Sequence, residues 1–135
     1  VTYMLDANIL IYLMKHRPPG IAKRINDLPE DALLCMSFVT YAELLKGAER
    51  GTRKQDVLQR LGLLIRQVRV AFPVDAGICR HYAEQSTRLK AAGTPIGGND
   101  LWIAAHALAM DAVLVTNNLR EFARISGLAM ENWSA

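Results

Sequence analysis

A length of 135 residues suits one domain with a full core, so 1–135 is read as a single unit. A hydrophobic share of 51% against 21% charged residues excludes a disordered chain, and a net charge of +3 permits a polyanionic partner without demanding one. No apolar run is long enough to cross a membrane and no basic segment precedes the first apolar stretch, so a cytoplasmic protein is expected.

The apolar run Tyr3-Met4-Leu5 ends on Asp6, and Ala7 and Asn8 lead into Ile9–Met14. This predicts a buried strand that stops at Asp6, a tight turn and a helix starting near Asn8. His16-Arg17-Pro18-Pro19-Gly20 breaks the pattern. A second helix can begin near Pro19, with Ile21, Ile25 and Leu28 on one face, and it ends before Pro29. Leu33–Ser37 reads as a second buried strand, and Ser37–Thr40 leads into a helix over Tyr41–Ala48. After Gly51, Thr52 is a candidate N-cap for a helix with Val57, Leu58, Leu61, Leu64 and Ile65 on its apolar side. These two helices form a predicted hairpin that protrudes from the sheet, with an apolar flank that serves as core or as a docking groove.

Val68–Phe72 is a third strand, stopped by Pro73. Asp75 can cap a helix that runs to Ala92 and ends at Gly93. Asn99-Asp100 opens a helix over Leu101–Met110, Ala112–Thr116 is a fourth strand, and Asn117-Asn118 starts a short helical turn through Phe122. Leu128–Met130 is a candidate edge strand. Strands alternate with helices throughout, which predicts an α/β domain with a mainly parallel sheet. Cys35 and Cys79 lie far apart without a CxxC and read as buried free thiols. His16, His81 and His106 lack ligand spacing and read as surface or helix histidines rather than a zinc site.

In a parallel sheet Asp6, Glu43, Asp100, Asn117, Asn118 and Glu121 all belong at the C-terminal edge, where open α/β sheets bind ligands. Acids in a first helical turn also favour the helix dipole, so Glu43 and Asp100 each have a plain structural reading. Several carboxylates in one crevice repel one another, and a hard divalent cation such as Mg²⁺ relieves that repulsion.

Four motifs carry a resemblance. They are Leu5-Asp6-Ala7-Asn8, Ser37-x-x-Thr40-x-x-Glu43-Leu44, Gly98-Asn99-Asp100 with Leu101–Ala105, and Val115-Thr116-Asn117-Asn118-Leu119-Arg120-Glu121-Phe122. Together, in this order and over nearly the whole chain, they resemble the PIN domain, and in particular the VapC toxins of bacterial toxin–antitoxin pairs. The resemblance implies a parallel α/β/α sandwich and a Mg²⁺-dependent endoribonuclease, with Mn²⁺ as a possible substitute. It places the metal-binding acids on Asp6 and Asp100, with Glu43 completing a trio. It also implies an RNA substrate, often tRNA cut in its anticodon region, with initiator tRNA suggested by enteric relatives. A VapB-type antitoxin and a homodimer are the implied partners.

The chain departs from the family pattern twice. Ala7 stands where the family usually has Thr or Ser, so a hydroxyl that could orient the Asp6 carboxylate is missing. The reading therefore expects reduced metal binding and cleavage, and expects Ala7→Thr to raise them; the alternative is a catalytically weakened variant that serves as an antitoxin-binding module. The family also commonly places an Asp after the last motif's Thr, where this chain has Asn117-Asn118, and Glu121 is the nearest acid that could substitute. Asn8, Thr40, Asn99, Thr116 and Asn118 are candidates to support the site or to touch substrate. Lys46, one helical turn from Glu43, could hold a phosphate or pair with Glu43. A receiver domain is disfavoured, since Asp6 stands alone and no Lys follows Thr116.

Overall fold

Alternate residues of the central strands enter two different cores. The computed structural model describes residues 1–134. Its strands are β1 (Thr2–Leu5), β2 (Leu33–Ser37), β3 (Arg69–Ala71), β4 (Val113–Val115) and β5 (Met130–Glu131). They form one sheet in the order β3-β2-β1-β4-β5, and every pairing is parallel. The helices are α1 (Ala7–Lys15), α2 (Gly20–Asn26), α3 (Phe38–Arg50), α4 (Lys54–Leu64), α5 (Gly77–Ala91), α6 (Gly98–Met110) and α7 (Leu119–Phe122).

Met4, Cys35 and Leu114 pack with Ile103, Ala104 and Ala107 of α6 and with Phe122. Their neighbours Leu5, Met36 and Val115 pack with Ile9, Leu10, Leu44 and Leu61 on the opposite face. The two-residue period of a strand thus divides the helices into two layers around the sheet. This is the α/β/α sandwich expected from the sequence, with the sheet wholly rather than mainly parallel. No helix among the described residues is long and apolar enough to cross a membrane.

Several boundaries move for local reasons. Helix α1 starts at Ala7, because Asp6 is its N-cap and accepts the Ala7 N–H at 2.8 Å. Helix α3 starts at Phe38 rather than Tyr41, because Ser37 caps it and accepts the Val39 N–H at 3.2 Å. Such a cap stabilises a helix by about 1 kcal/mol. Thr52 caps nothing: α4 begins after Arg53, with no side-chain cap bond. Asp75 does accept a helix-start N–H, that of Gly77, at 2.8 Å, although Ala76 holds the cap position. Both cysteines are free, but only Cys35 is buried; Cys79 is exposed on α5.

The chain lays β2 and then β3 on one side of β1, and β4 and then β5 on the other. The order therefore reverses at β1, and Asp6, Thr116 and the start of α3 all leave the sheet there. This is the switch point at which α/β sheets open a crevice.

Candidate active site

Asp6 is 8% exposed and fixed at both oxygens. Its Oδ1 accepts the N–H of Ala7 at 2.8 Å, and its Oδ2 accepts the Thr116 hydroxyl at 2.9 Å. The Asp6 N–H continues the sheet by donating to the Val115 carbonyl at 2.9 Å. Ala7 leaves no hydroxyl beside Asp6, but Thr116 on the neighbouring strand end supplies one. The Asp6 carboxylate is therefore not left freer, contrary to what the sequence suggests. Burial raises its pKa, against the lowering effect of these two hydrogen bonds.

Asp100 and Glu43 complete the crevice from α6 and α3. Burial first, and then the charges of Asp6, Glu121 and Glu43, push Asp100 up to about 6. Burial also raises Glu43, with a further push from Asp6; a hydrogen bond from Asn99 and the charge of Lys46 act the other way. The acids predicted from four separate motifs therefore feel one another, as one electrostatic cluster. Glu121 differs: its pKa is lowered, first by the Gly97 N–H and then by the Asn118 side chain. Its Oε1 accepts Gly97 N–H at 3.0 Å and its Oε2 accepts Asn118 Nδ2 at 2.9 Å.

The supporting residues lie around this cluster. Asn118 N–H donates to Thr116 Oγ1 at 3.0 Å. Asn8 Nδ2 reaches Asn117 Oδ1 at 3.4 Å, and Asn117 Nδ2 donates to the Tyr12 hydroxyl at 3.1 Å, which ties α1 to the loop after β4. Thr40 is fully buried, and its hydroxyl has no hydrogen-bond partner among the described residues. Lys46 is exposed and lowers the Glu43 pKa without forming an ion pair with it. At the hairpin tip, Arg53 pairs with Asp56 and Lys54 with Glu49, the solvated pairs expected of a turn.

One link escaped the sequence. His106 is 2% exposed, and its Nδ1 lies 2.8 Å from Ser37 Oγ. Ser37 sits six residues before Glu43 and His106 six after Asp100, so this buried bond fastens the two acid-bearing helices together. Burial lowers the His106 pKa. The only signal was a histidine within the small apolar run Ile103–Ala109, which reads equally as an incidental helix residue.

The donor set tests whether a metal fits. Asp6, Glu43 and Asp100 are all oxygen ligands, with no imidazole or thiol among them, and all are raised by burial. A cation would relieve that strain on their charge, and oxygen-only ligation selects a hard one. Among the described residues no three acidic, His or Cys side chains are drawn closely enough to hold an ion by themselves.

A cavity of about 260 Å³ adjoins the crevice, lined by Ala7, Ile11 and Met14 of the α1 region, Leu44 of α3, Val57 and Leu61 of α4, and reached by Glu43. The hairpin flank is thus a groove that leads to the acids.

Comparison with known proteins agrees with this geometry. Residues 3–128 match the PIN domain family. The chain is 48% identical over 132 residues to Ribonuclease VapC1 of Haemophilus influenzae strain R2866, covering 98% of each chain. It is 35% identical to the tRNA(fMet)-specific endonuclease VapC of Shigella flexneri, again over 98% of each. Its fold superposes on a chain of VapBC-1 from nontypeable Haemophilus influenzae with a TM-score of 0.94, at 47% identity and full coverage of both chains. The chain belongs to the PIN-domain family, as a ribonuclease of the VapC toxin group.

Proposed function

We propose that this ribonuclease toxin cleaves tRNA with the help of Mg²⁺, and that an antitoxin tail silences it by lying in the hairpin groove. The observation that carries the metal is the shared upward shift of Asp6, Glu43 and Asp100 at the switch point of the sheet. Asp6 and Asp100 are the residues that would hold the ion, with Glu43 completing the set. When bound, the ion activates water and neutralises the charge that develops on the phosphodiester. Ala7 N–H and Thr116 hold the Asp6 carboxylate in one orientation. Glu43, a carboxylate in the same crevice as Asp6 and Asp100, is suited to accept a proton from the attacking water. Lys46 stands beside it as an exposed cation for a neighbouring phosphate.

The choice of tRNA is supported by the Shigella flexneri relative, whose name specifies tRNA(fMet). Initiator tRNA is accordingly the first substrate to test. The antitoxin is supported by the VapBC-1 complex and by the apolar groove that ends at Glu43. A basic tail with an Arg would pair with the carboxylates there, since its planar fork suits them. A homodimer is supported by the exposed apolar Phe72 and Val74, 62% and 94% exposed, that follow the free edge strand β3. Sequencing of cellular RNA ends after brief induction without antitoxin is the test. New ends concentrated in one tRNA anticodon region are expected; ends scattered over messenger RNA would overturn the tRNA assignment.

A further inference from the structure

Asp100 occupies a position from which an acid ordinarily bonds back to its own helix. Gly97 is the N-cap of α6 and lacks a side chain, so Gly98, Asn99 and Asp100 are the first three helical residues. In a capping box the acid at the third position accepts the backbone N–H of the cap residue. Here that N–H is taken by Glu121 Oε1 at 3.0 Å. The Asp100 carboxylate stays nearby: a Cβ built on Gly97 would lie 3.9 Å from Asp100 Oδ2 and 3.9 Å from Glu121 Oε1. Both acids thus border Gly97, and Glu121 holds its N–H.

Glu121 is itself held. Its Oε2 accepts Asn118 Nδ2 at 2.9 Å, Asn118 N–H donates to Thr116 Oγ1 at 3.0 Å, and Thr116 donates to Asp6 Oδ2 at 2.9 Å. An unbroken chain of hydrogen bonds therefore runs from the Asp6 carboxylate to the residue that opens α6. From the outer side Arg124 Nη1 donates to the Pro95 carbonyl at 3.0 Å, which fastens the same loop a second time. Phe122, fully buried, anchors the short helix that carries Glu121.

We infer that Glu121 is a positioning residue that occupies the Gly97 N–H so that Asp100 remains free for the metal. It also sets the start of α6 against Asp6 through Asn118 and Thr116. Without Glu121, Asp100 would swing onto the vacant N–H and cap its own helix, a competing bond that metal would have to break. This rests on the metal-site reading above, and it gives Glu121 a role that does not require contact with the ion.

Three variants decide it, each measured in two ways: direct titration of the toxin with Mn²⁺ without RNA, and RNA cleavage against Mg²⁺ concentration. Glu121→Ala is expected to weaken metal binding by about 10–100-fold, the usual effect of losing a group that orients a ligand. Glu121→Gln is expected to recover most of that loss, because its carbonyl oxygen can accept Gly97 N–H and its amide can pair with a turned Asn118 side chain. Asn118→Ala removes one tie and leaves the carboxylate, so a smaller loss in the same direction is expected. If Gln is as damaging as Ala in metal binding, the charge itself is needed at the ion and the positioning role is wrong. If Ala lowers the melting temperature while metal affinity holds, Glu121 is only structural and the inference is also wrong. Should Glu121→Ala fail to fold, the Gln and Asn118→Ala variants still discriminate. A wild-type toxin that binds no Mn²⁺ would instead overturn the metal-site reading.

Discussion

The two aspartates of the crevice are held in opposite ways. Asp6 ends a central strand, and each of its oxygens accepts a hydrogen bond from the residues beside it. Asp100 accepts none among the described residues, and its place is set only by the helix beneath it. One acid is oriented in advance and the other is left open. The difference shows in their chemistry: two hydrogen bonds oppose the upward shift of Asp6, whereas burial and three neighbouring charges act unopposed on Asp100. A site built this way presents one carboxylate fixed by two hydrogen bonds and one left without a donor.

Removing the open carboxylate should have the largest effect. Asp100→Asn keeps the size of the side chain and removes its charge. Cleavage is expected to fall by about 10²–10³-fold or more, the scale seen when one preorganised electrostatic group is lost from an active site. Since the change also relieves repulsion, the melting temperature without metal should hold or rise. Circular dichroism with a single-turnover RNA assay checks both. Substantial cleavage by well-folded Asp100→Asn would remove Asp100 from the site.

The fixed carboxylate can be loosened without touching it. Thr116→Val keeps the branched shape but removes the hydroxyl that donates to Asp6 and accepts from Asn118 N–H. A loss of about 10–100-fold in metal affinity or activity is expected. If Thr116→Val matches the wild type at every Mg²⁺ concentration, the Ala7 N–H alone is sufficient to orient Asp6.

Stability against pH gives a smaller signal that separates the two acids from the rest of the molecule. Asp100 binds its proton more tightly folded than unfolded, rising from 3.8 to about 6. Its contribution is therefore full below about pH 4 and is lost as pH rises through 6. Asp6 and Glu43 shift in the same direction. His106 opposes them, because its folded pKa is lowered, so the fold gains as pH rises towards 6.5 and the gain is complete above it. Glu121 also opposes, but below 4.5. The readout is thus a difference: between pH 5 and 7 the metal-free wild type should lose melting temperature relative to Asp100→Asn. Saturating Mg²⁺ should remove much of that deficit. Parallel curves for the two proteins would show that Asp100 is not raised.

The contrast also explains what could be read from the chain. Asp6 was legible because an apolar strand ends on it and a helical run follows at once. The order of elements followed from alternating patterns, and Leu33–Ser37 has the same bounds in the sequence reading and in β2. Glu43, Asp100 and Glu121 were legible as candidates because their motifs sit at one sheet edge. Their partners were not. Thr116 meets Asp6 across 110 positions, and Ser37 meets His106 across 69, pairings that no local pattern encodes. The start of α3 was misplaced because Ser37–Thr40 reads as a lead-in to a helix at Tyr41, while a capping Ser37 starts the helix at Phe38. Thr52 failed as a cap for the converse reason: a residue of the right type without the geometry makes no bond.

The smallest expected effect belongs to Ala7, where sequence and structure point to different magnitudes. The family pattern assigns a hydroxyl to this position, which suggests that Ala7→Thr should restore a missing donor. In the structure Asp6 Oδ1 already accepts the Ala7 N–H and Oδ2 the Thr116 hydroxyl. A threonine would add a third donor to an acid already oriented, and its own N–H would remain in place. Cleavage by Ala7→Thr is therefore expected to rise, but by well under the ~10–100-fold that an essential orienting group commands. The fold should barely respond, since Thr at a first helical position is only about 0.5 kcal/mol less favourable than Ala. Ala7 also lines the hairpin groove, so the added methyl would narrow the seat proposed for the antitoxin tail. Cleavage rates against Mg²⁺ should be measured for the wild type, Ala7→Thr, Thr116→Val and the double variant. The added hydroxyl should matter most in the Thr116→Val background, where Asp6 has lost its other donor. A tenfold or greater gain in the wild-type background would show that Thr116 does not do the work assigned to it, and that Asp6 is looser than its two hydrogen bonds imply.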